Sequence, residues 1–113
     1  MTSGKFIGLL LQSRDAMHLA HWQTTKYGEH KTLDSYYSGI LELTDSFVEK
    51  LFGQKGRFPI EIPNTKVEAP IPHLKKMQKL IEEESENYSS DLENIMDEML
   101  GLVNETLYLL TLS

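Results

Sequence analysis

No cysteine occurs anywhere in the 113 residues. That excludes disulfides, thiolate zinc sites and cysteine nucleophiles, and it is compatible with a reducing cytosol. Proline is scarce and confined: Pro59, Pro63, Pro70 and Pro72 share one stretch, and none follows. Long apolar runs are missing too. FIGLLL, residues 6–11, is too short to cross a bilayer, and no small-residue cleavage site follows it. The chain therefore reads as cytoplasmic, with no membrane partner. Cations are in deficit, with 11 Lys plus Arg against 17 Asp plus Glu and a formal net charge of −6. Such a surface disfavours nucleic acid and anionic membranes as partners and favours cations. There is no low-complexity segment and no evident repeat. What remains is a single domain, residues 1–113, large enough for a core and small enough to gain from oligomerisation.

Where proline is absent, apolar residues recur with helical spacing. Phe6, Ile7, Leu10, Leu11 and Met17 share one face of a first segment, near 5–26, which Tyr27-Gly28 interrupts. Leu33, Tyr36, Tyr37, Ile40, Leu43, Phe47 and Leu51 do the same near 30–52. The prolines of residues 53–72 forbid a helix through most of that connection. Leu74, Met77 and Ile81 mark a third segment near 73–88, and Leu92, Ile95, Met99, Leu102, Val103 and Leu110 a fourth near 90–112. The apolar phase from Leu74 to Leu102 is unbroken, which suits one long helix. However, Ser90 and Glu93 have capping-box spacing and Asp91 suits a first turn, so a break near 88–90 is expected. The expected fold is all-α: a four-helix bundle with a long crossover between the second and third helices, the topology ferritin-like folds use. Leu10, Met17, Ile40, Phe47, Ile81, Ile95, Met99 and Leu102 are expected to be buried.

The densest chemistry lies in AHWQTTKYGEHKTLDSYY, residues 20–37. His21 falls within the apolar arc of the first segment, where an unpartnered imidazole is costly. His18 lies one turn earlier, and Trp22 further round. In the second segment His30, Asp34, Asp45 and Glu49 fall on one flank, as two i, i+4 pairs. Imidazole with carboxylate suits Fe, Mn or Zn, whereas an all-oxygen site suits Ca or Mg. Asp34 and Asp45 are ~16 Å apart along a helix, so no single ion touches both in one chain. Either there are two sites, or two such helices pack antiparallel across a two-fold axis and share ligands. The plainer readings stand beside this one. A lone histidine on an apolar face is usually a satisfied core or interface residue, each carboxylate alone is a solvated edge, and Trp22 and the tyrosines are most simply core.

His21-Trp22 followed by His30, Asp34, Asp45 and Glu49 resembles the Dps-type mini-ferritins of the ferritin-like superfamily. In that family a His-Trp pair ends the first long helix, and a second His is followed by Asp at +4 and +15 and by Glu at +19. The match is complete from His30 onward. NETLYLL, residues 104–110, is similar to the family's closing helix. The resemblance implies a homo-oligomer, at least a two-fold dimer, that binds iron (with Zn or Mn as surrogates) and oxidises Fe(II) with peroxide or oxygen. His21, His30 and Asp34 would come from one chain and Asp45 and Glu49 from its partner, with His18, Trp22 and Tyr37 as accessories.

Several features depart from the family. The link from His21 to His30 is three residues short, and the chain is shorter than usual, mostly in the crossover and third segment. MTSGK lacks the Lys-rich tail of DNA-binding members. No Glu-x-x-His lies in the fourth segment, as a diiron site inside one bundle would require. The short form also resembles small ferritin-like proteins of tailed-phage genomes, which would place the protein in the host cytoplasm.

A rival expectation is a non-catalytic acidic interaction protein on the same scaffold, a phage accessory protein binding a host partner. Glu82, Glu83, Glu84, Glu86, Asp91 and Glu93 would be its surface, although such a run is usually a solvated helix face. A third reading is a metal-free bundle in which His21 and His30 only hydrogen-bond to the carboxylates.

Overall fold

The Thr2 hydroxyl accepts the Lys5 amide at 3.2 Å and so starts the first helix. The computed structural model describes all 113 residues. Helix α1 spans Ser3–Gln23, α2 Tyr27–Lys55, α3 Pro70–Glu84 and α4 Ser90–Leu110, with a 3-10 turn at Ser85–Asn87 and no strand. The expected four helices are present, and the break between the last two is real.

Four local expectations are corrected. Tyr27-Gly28 does not interrupt a helix but opens α2, because α1 already ends at Gln23 and residues 24–26 make the turn. α3 begins at Pro70, three residues early. A proline in the first helical turn loses no bond, since those amides have no intrahelical acceptor. The N-cap of α4 is Ser89, not Ser90, and no capping box forms. Instead the Ser89 hydroxyl donates to Asp91 Oδ1 at 2.7 Å and accepts from Gln54 Nε2 at 3.0 Å. That hydroxyl, first among several causes, holds the Asp91 carboxyl below its ordinary range. Finally, Leu102 is only half-buried, its side chain spread over Gly39, while the other seven expected core residues are buried.

The helices alternate so that each runs antiparallel to its neighbours. His21 meets His30 and Phe6 meets Phe47 across α1 and α2. Gly28 meets Ser113, Gly39 meets Leu102, and Gln54 meets Ser89 across α2 and α4. α3 returns beside α4, where Gln78 Nε2 donates to Asn104 Oδ1 at 2.7 Å. The directions are thus up, down, down, up. At ~1.5 Å per residue the 29-residue α2 accounts for the 43 Å long axis of the molecule.

Phe6, Phe47 and Tyr88 form an aromatic knot at one end of the core, with centroids 5.1 to 6.1 Å apart. Tyr88 keeps the apolar phase alive across the α3–α4 break, and its hydroxyl reaches Ser3 Oγ at 2.9 Å. Emptying the fully buried Phe47 site costs ~3–5 kcal/mol on the scale of phenylalanine-to-alanine core changes.

Two helices pointing the same way in sequence order demand a connection along the full bundle, and residues 56–69 supply it. Gly56, at φ 83°, ends α2 in a conformation that favours glycine. The strap then runs alongside α1 in the same direction. A Cβ at Gly4 would strike Pro59 O, and one at Gly8 would strike Glu61 O. The Glu61 amide donates to Gly4 O at 3.2 Å, and Gln12 Nε2 to Asn64 O at 3.0 Å. Glycines one turn apart on α1 therefore seat the strap against bare helix backbone.

Candidate functional site

The three-residue turn sets the last turn of α1 beside the first turn of α2, and two histidines clasp across it. His21 Nδ1 donates to His30 O at 2.6 Å, and His30 Nδ1 donates to His21 O at 2.8 Å. The rings stack at 3.7 Å between centroids and 15° between planes. The His21 carbonyl lies in the last turn of α1, where carbonyls lack intrahelical partners, so His30 caps that helix end. A carbonyl only accepts, which puts a proton on each Nδ1. In the neutral rings both Nε2 atoms then carry lone pairs. Metal-binding imidazoles are held in this way, through a carbonyl on the far ring nitrogen. The bonds run to backbone carbonyls and not to the carboxylates that the metal-free reading expected. They also give buried His21 its partner inside one chain, so its burial does not require a second subunit.

A second layer adjoins this pair. His18 stacks on Tyr37 at 4.0 Å and 13°, and lies 4.2 Å from the Trp22 ring system. Arg14 covers Tyr37 at 5.7 Å and pairs with Asp15 at 2.8 Å. Burial, then Arg14 and His21, depress the His18 pKa, opposed by Asp15 and Asp34. Burial first, and then Asp34 beside its hydroxyl, raise the Tyr37 pKa. Asp34 therefore borders the same cluster, with its side chain partly open to solvent. Trp22 is not core: it is 64% exposed, and Tyr27 beside His30 is 74% exposed. This aromatic face of α1 and α2 is uncovered in the single chain.

Asp45 and Glu49 lie elsewhere. Both are exposed on α2, and the eleven-residue step from Asp34 to Asp45 spans ~16 Å of helix. No three His, Asp or Glu side chains within the chain converge to hold an ion. The structure thus gathers the rings of His18, His21, Trp22, His30 and Tyr37, sets Asp34 against His18 and Tyr37, and leaves the Asp45–Glu49 pair apart.

Sequence reasoning missed one buried polar chain. Ser13 Oγ lies 2.7 Å from the Tyr36 hydroxyl and 2.7 Å from His73 Nε2. Ser13 and Tyr36 have no exposure and His73 has 3%. Burial drives the Tyr36 pKa well above the ordinary phenol range, against the pull of Ser13. A signal existed in α1, where Ser13 sits three residues after Leu10 and four before Met17 on the apolar face. A hydroxyl there needs a partner. No spacing announces His73, 60 residues on.

The family described as "Family of unknown function (DUF5856)" matches residues 21–110. The chain is also similar to an uncharacterized 14.6 kDa protein in the mobD-ri intergenic region of Enterobacteria phage T4. The two are 27% identical over 112 residues, which cover 96% of this chain and 87% of the relative. No solved structure matches.

Proposed function

This chain belongs to DUF5856, a family of unknown function, and from its site we propose that it is a small mini-ferritin-like protein that binds and oxidises Fe(II) between two subunits. His21, His30 and Asp34 of one protomer bind the ion together with Asp45 and Glu49 of the other. The observation that carries the reading is the reciprocal histidine clasp, which leaves a lone pair on each Nε2, with Asp34 nearby against His18 and Tyr37. Three further features support it. The up-down-down-up bundle with a long crossover is the arrangement ferritin-like folds use. Asp45 and Glu49 are solvent-facing and unpaired in one chain. The exposure of Trp22 and Tyr27 on the α1–α2 face favours a second copy packing there.

Fe(II) is the substrate here. Imidazole nitrogens and carboxylates hold it, and the carboxylates favour the ferric product by charge. Each Fe(II) gives up one electron; two Fe(II), with two protons from solvent, reduce one peroxide to two waters, or one oxygen to peroxide. Trp22 and Tyr37 border the site and shield it. Anaerobic Fe(II) titration followed by oxidant addition tests the reading: saturable binding and a rise in ferric absorbance are expected. Absence of any thermal shift with Fe(II), Zn(II) or Mn(II) would sink it.

The second reading is an acidic interaction protein of a phage. It draws on the exposure of Glu82, Glu83, Glu86 and Asp91 and on the phage T4 relative. Glu84 does not belong to that surface, being buried against the Met1 amine and Asn87.

A further inference from the structure

The Ser13–His73 bond joins α1 to the start of α3 and closes over the end of the strap. Its direction can be read. The Glu68 carboxylate stands 3.4 Å from His73 Nδ1, near enough for attraction but outside hydrogen-bond geometry. With the ring proton on that side, Nε2 accepts from the Ser13 hydroxyl, and Ser13 accepts from Tyr36. The chain Tyr36 to Ser13 to His73 runs one way, and all three members are buried.

We propose that this bond is an acid-release latch on the crossover strap. Proton uptake by His73 turns Nε2 from acceptor into donor. Ser13 can no longer donate to it, and a cation is left where almost no solvent reaches. The groups facing the ring offset that cost only in part. Ser13 and Tyr36, from α1 and α2, are uncharged. Glu68, from the strap, is shared with Lys76 of α3 at 3.8 Å. α4, which packs on α3, adds no charge to those acting on the ring. Burial depresses the His73 pKa more than Glu68 raises it, in keeping with a ring that leaves when charged. His73 lies in the first turns of α3, directly after the strap, so it can swing to water without disturbing α2 or α4. Release loosens residues 64–76. Val67, Glu68, Ala69 and Pro70 form one wall of an open cleft whose other wall is Ala20, Thr24 and Glu29, next to the histidine clasp, and that cleft widens. The latch does not depend on iron.

Hydrogen exchange followed by mass spectrometry, corrected for intrinsic rates, reads each segment separately at about pH 7.5 and about pH 5. In the full chain, the hydrogen-bonded amides of residues 73–76, at the start of α3, should lose at least ~10-fold protection at the lower pH relative to α2 and α4. His73→Gln keeps an acceptor but cannot take the proton, and should lose this differential. Ser13→Ala removes the bond, so the same segment should already exchange fast at neutral pH with little further response to acid. Circular dichroism checks that both variants are folded. Uniform loss of protection across all helices, or a full acid response retained in either variant, overturns the latch. Acid response confined to the start of α3, residues 73–76, and absent from the variants supports it, although His18, His21 and His30 are present throughout.

Discussion

Mixing two inactive variants gives the sharpest test of a shared site. His30→Ala/Asp34→Ala destroys the half of the site at the top of α2, and Asp45→Ala/Glu49→Ala destroys the half ~16 Å further down the same helix. Across a two-fold axis each half meets the other half from the partner. Homodimers of either variant then have no intact site. A heterodimer has one intact and one doubly broken site. Random refolding of an equal mixture yields about half heterodimers, so the mixture should recover about one quarter of wild-type sites per protomer. The fraction is the same in larger assemblies built on that two-fold contact. The substituted residues are partly or fully exposed, except that His30 caps α1. Loss of that bond costs ~0.5–1.5 kcal/mol, which the fold should withstand. Native mass spectrometry counts heterodimers, and isothermal titration with Zn(II) or Fe(II) counts sites. Heterodimers formed in the expected proportion, with no recovered binding, would refute the shared site and place any metal within one subunit.

Saturating Zn(II) or Fe(II) at 100 times Kd should stabilise the wild type by ~2.7 kcal/mol, and His21→Ala or Asp45→Ala should abolish that shift in a thermal melt while leaving helix content intact. Gly8→Ala should destabilise by ~1–3 kcal/mol because its Cβ would strike Glu61 O; helix propensity alone would give a gain of ~0.5–1 kcal/mol, so the sign of the change in a urea titration decides whether the strap lies there. Since burial lowers the folded His73 pKa below its ordinary 6.5, the unfolded chain takes up that proton first; the contribution is full above 6.5 and is lost as pH falls from there towards the folded value. His73→Gln should flatten that part of the denaturation-against-pH curve, and an unchanged curve would show that His73 contributes nothing. At about 150 mM salt, duplex DNA should migrate unretarded in a gel with this protein, because a net charge of −6 repels phosphate.

The helices were legible because their signals are local. Apolar spacing of three and four residues marks Leu10, Met17, Ile40, Phe47, Ile81, Ile95 and Met99, and all are buried. The α3–α4 break was legible in Ser89–Glu93 even though the apolar phase runs through it. Helix ends are less legible. Pro70 looked like a barrier and is a start, and Gly28 looked like an interruption and lies in a first turn. Both errors have one cause: the same residue type suits a helix's first turn and disrupts its interior.

The amino-acid order by itself determined the helical class, the long strap and the gathering of His18, His21, Trp22, His30, Asp34 and Tyr37 around one turn. These follow from periodicity and from neighbours close in sequence. Only tertiary structure decided that His21 and His30 bond to each other's carbonyls, that Trp22 faces solvent, and that Asp45 and Glu49 stand apart from the clasp. It alone joined Ser13 and Tyr36 to His73 and laid the strap on Gly4 and Gly8. A ring's tautomer and a hydroxyl's partner depend on which backbone atoms arrive from another helix, and on how closely two backbones can approach. Neither quantity has a period or a spacing that a linear chain could display.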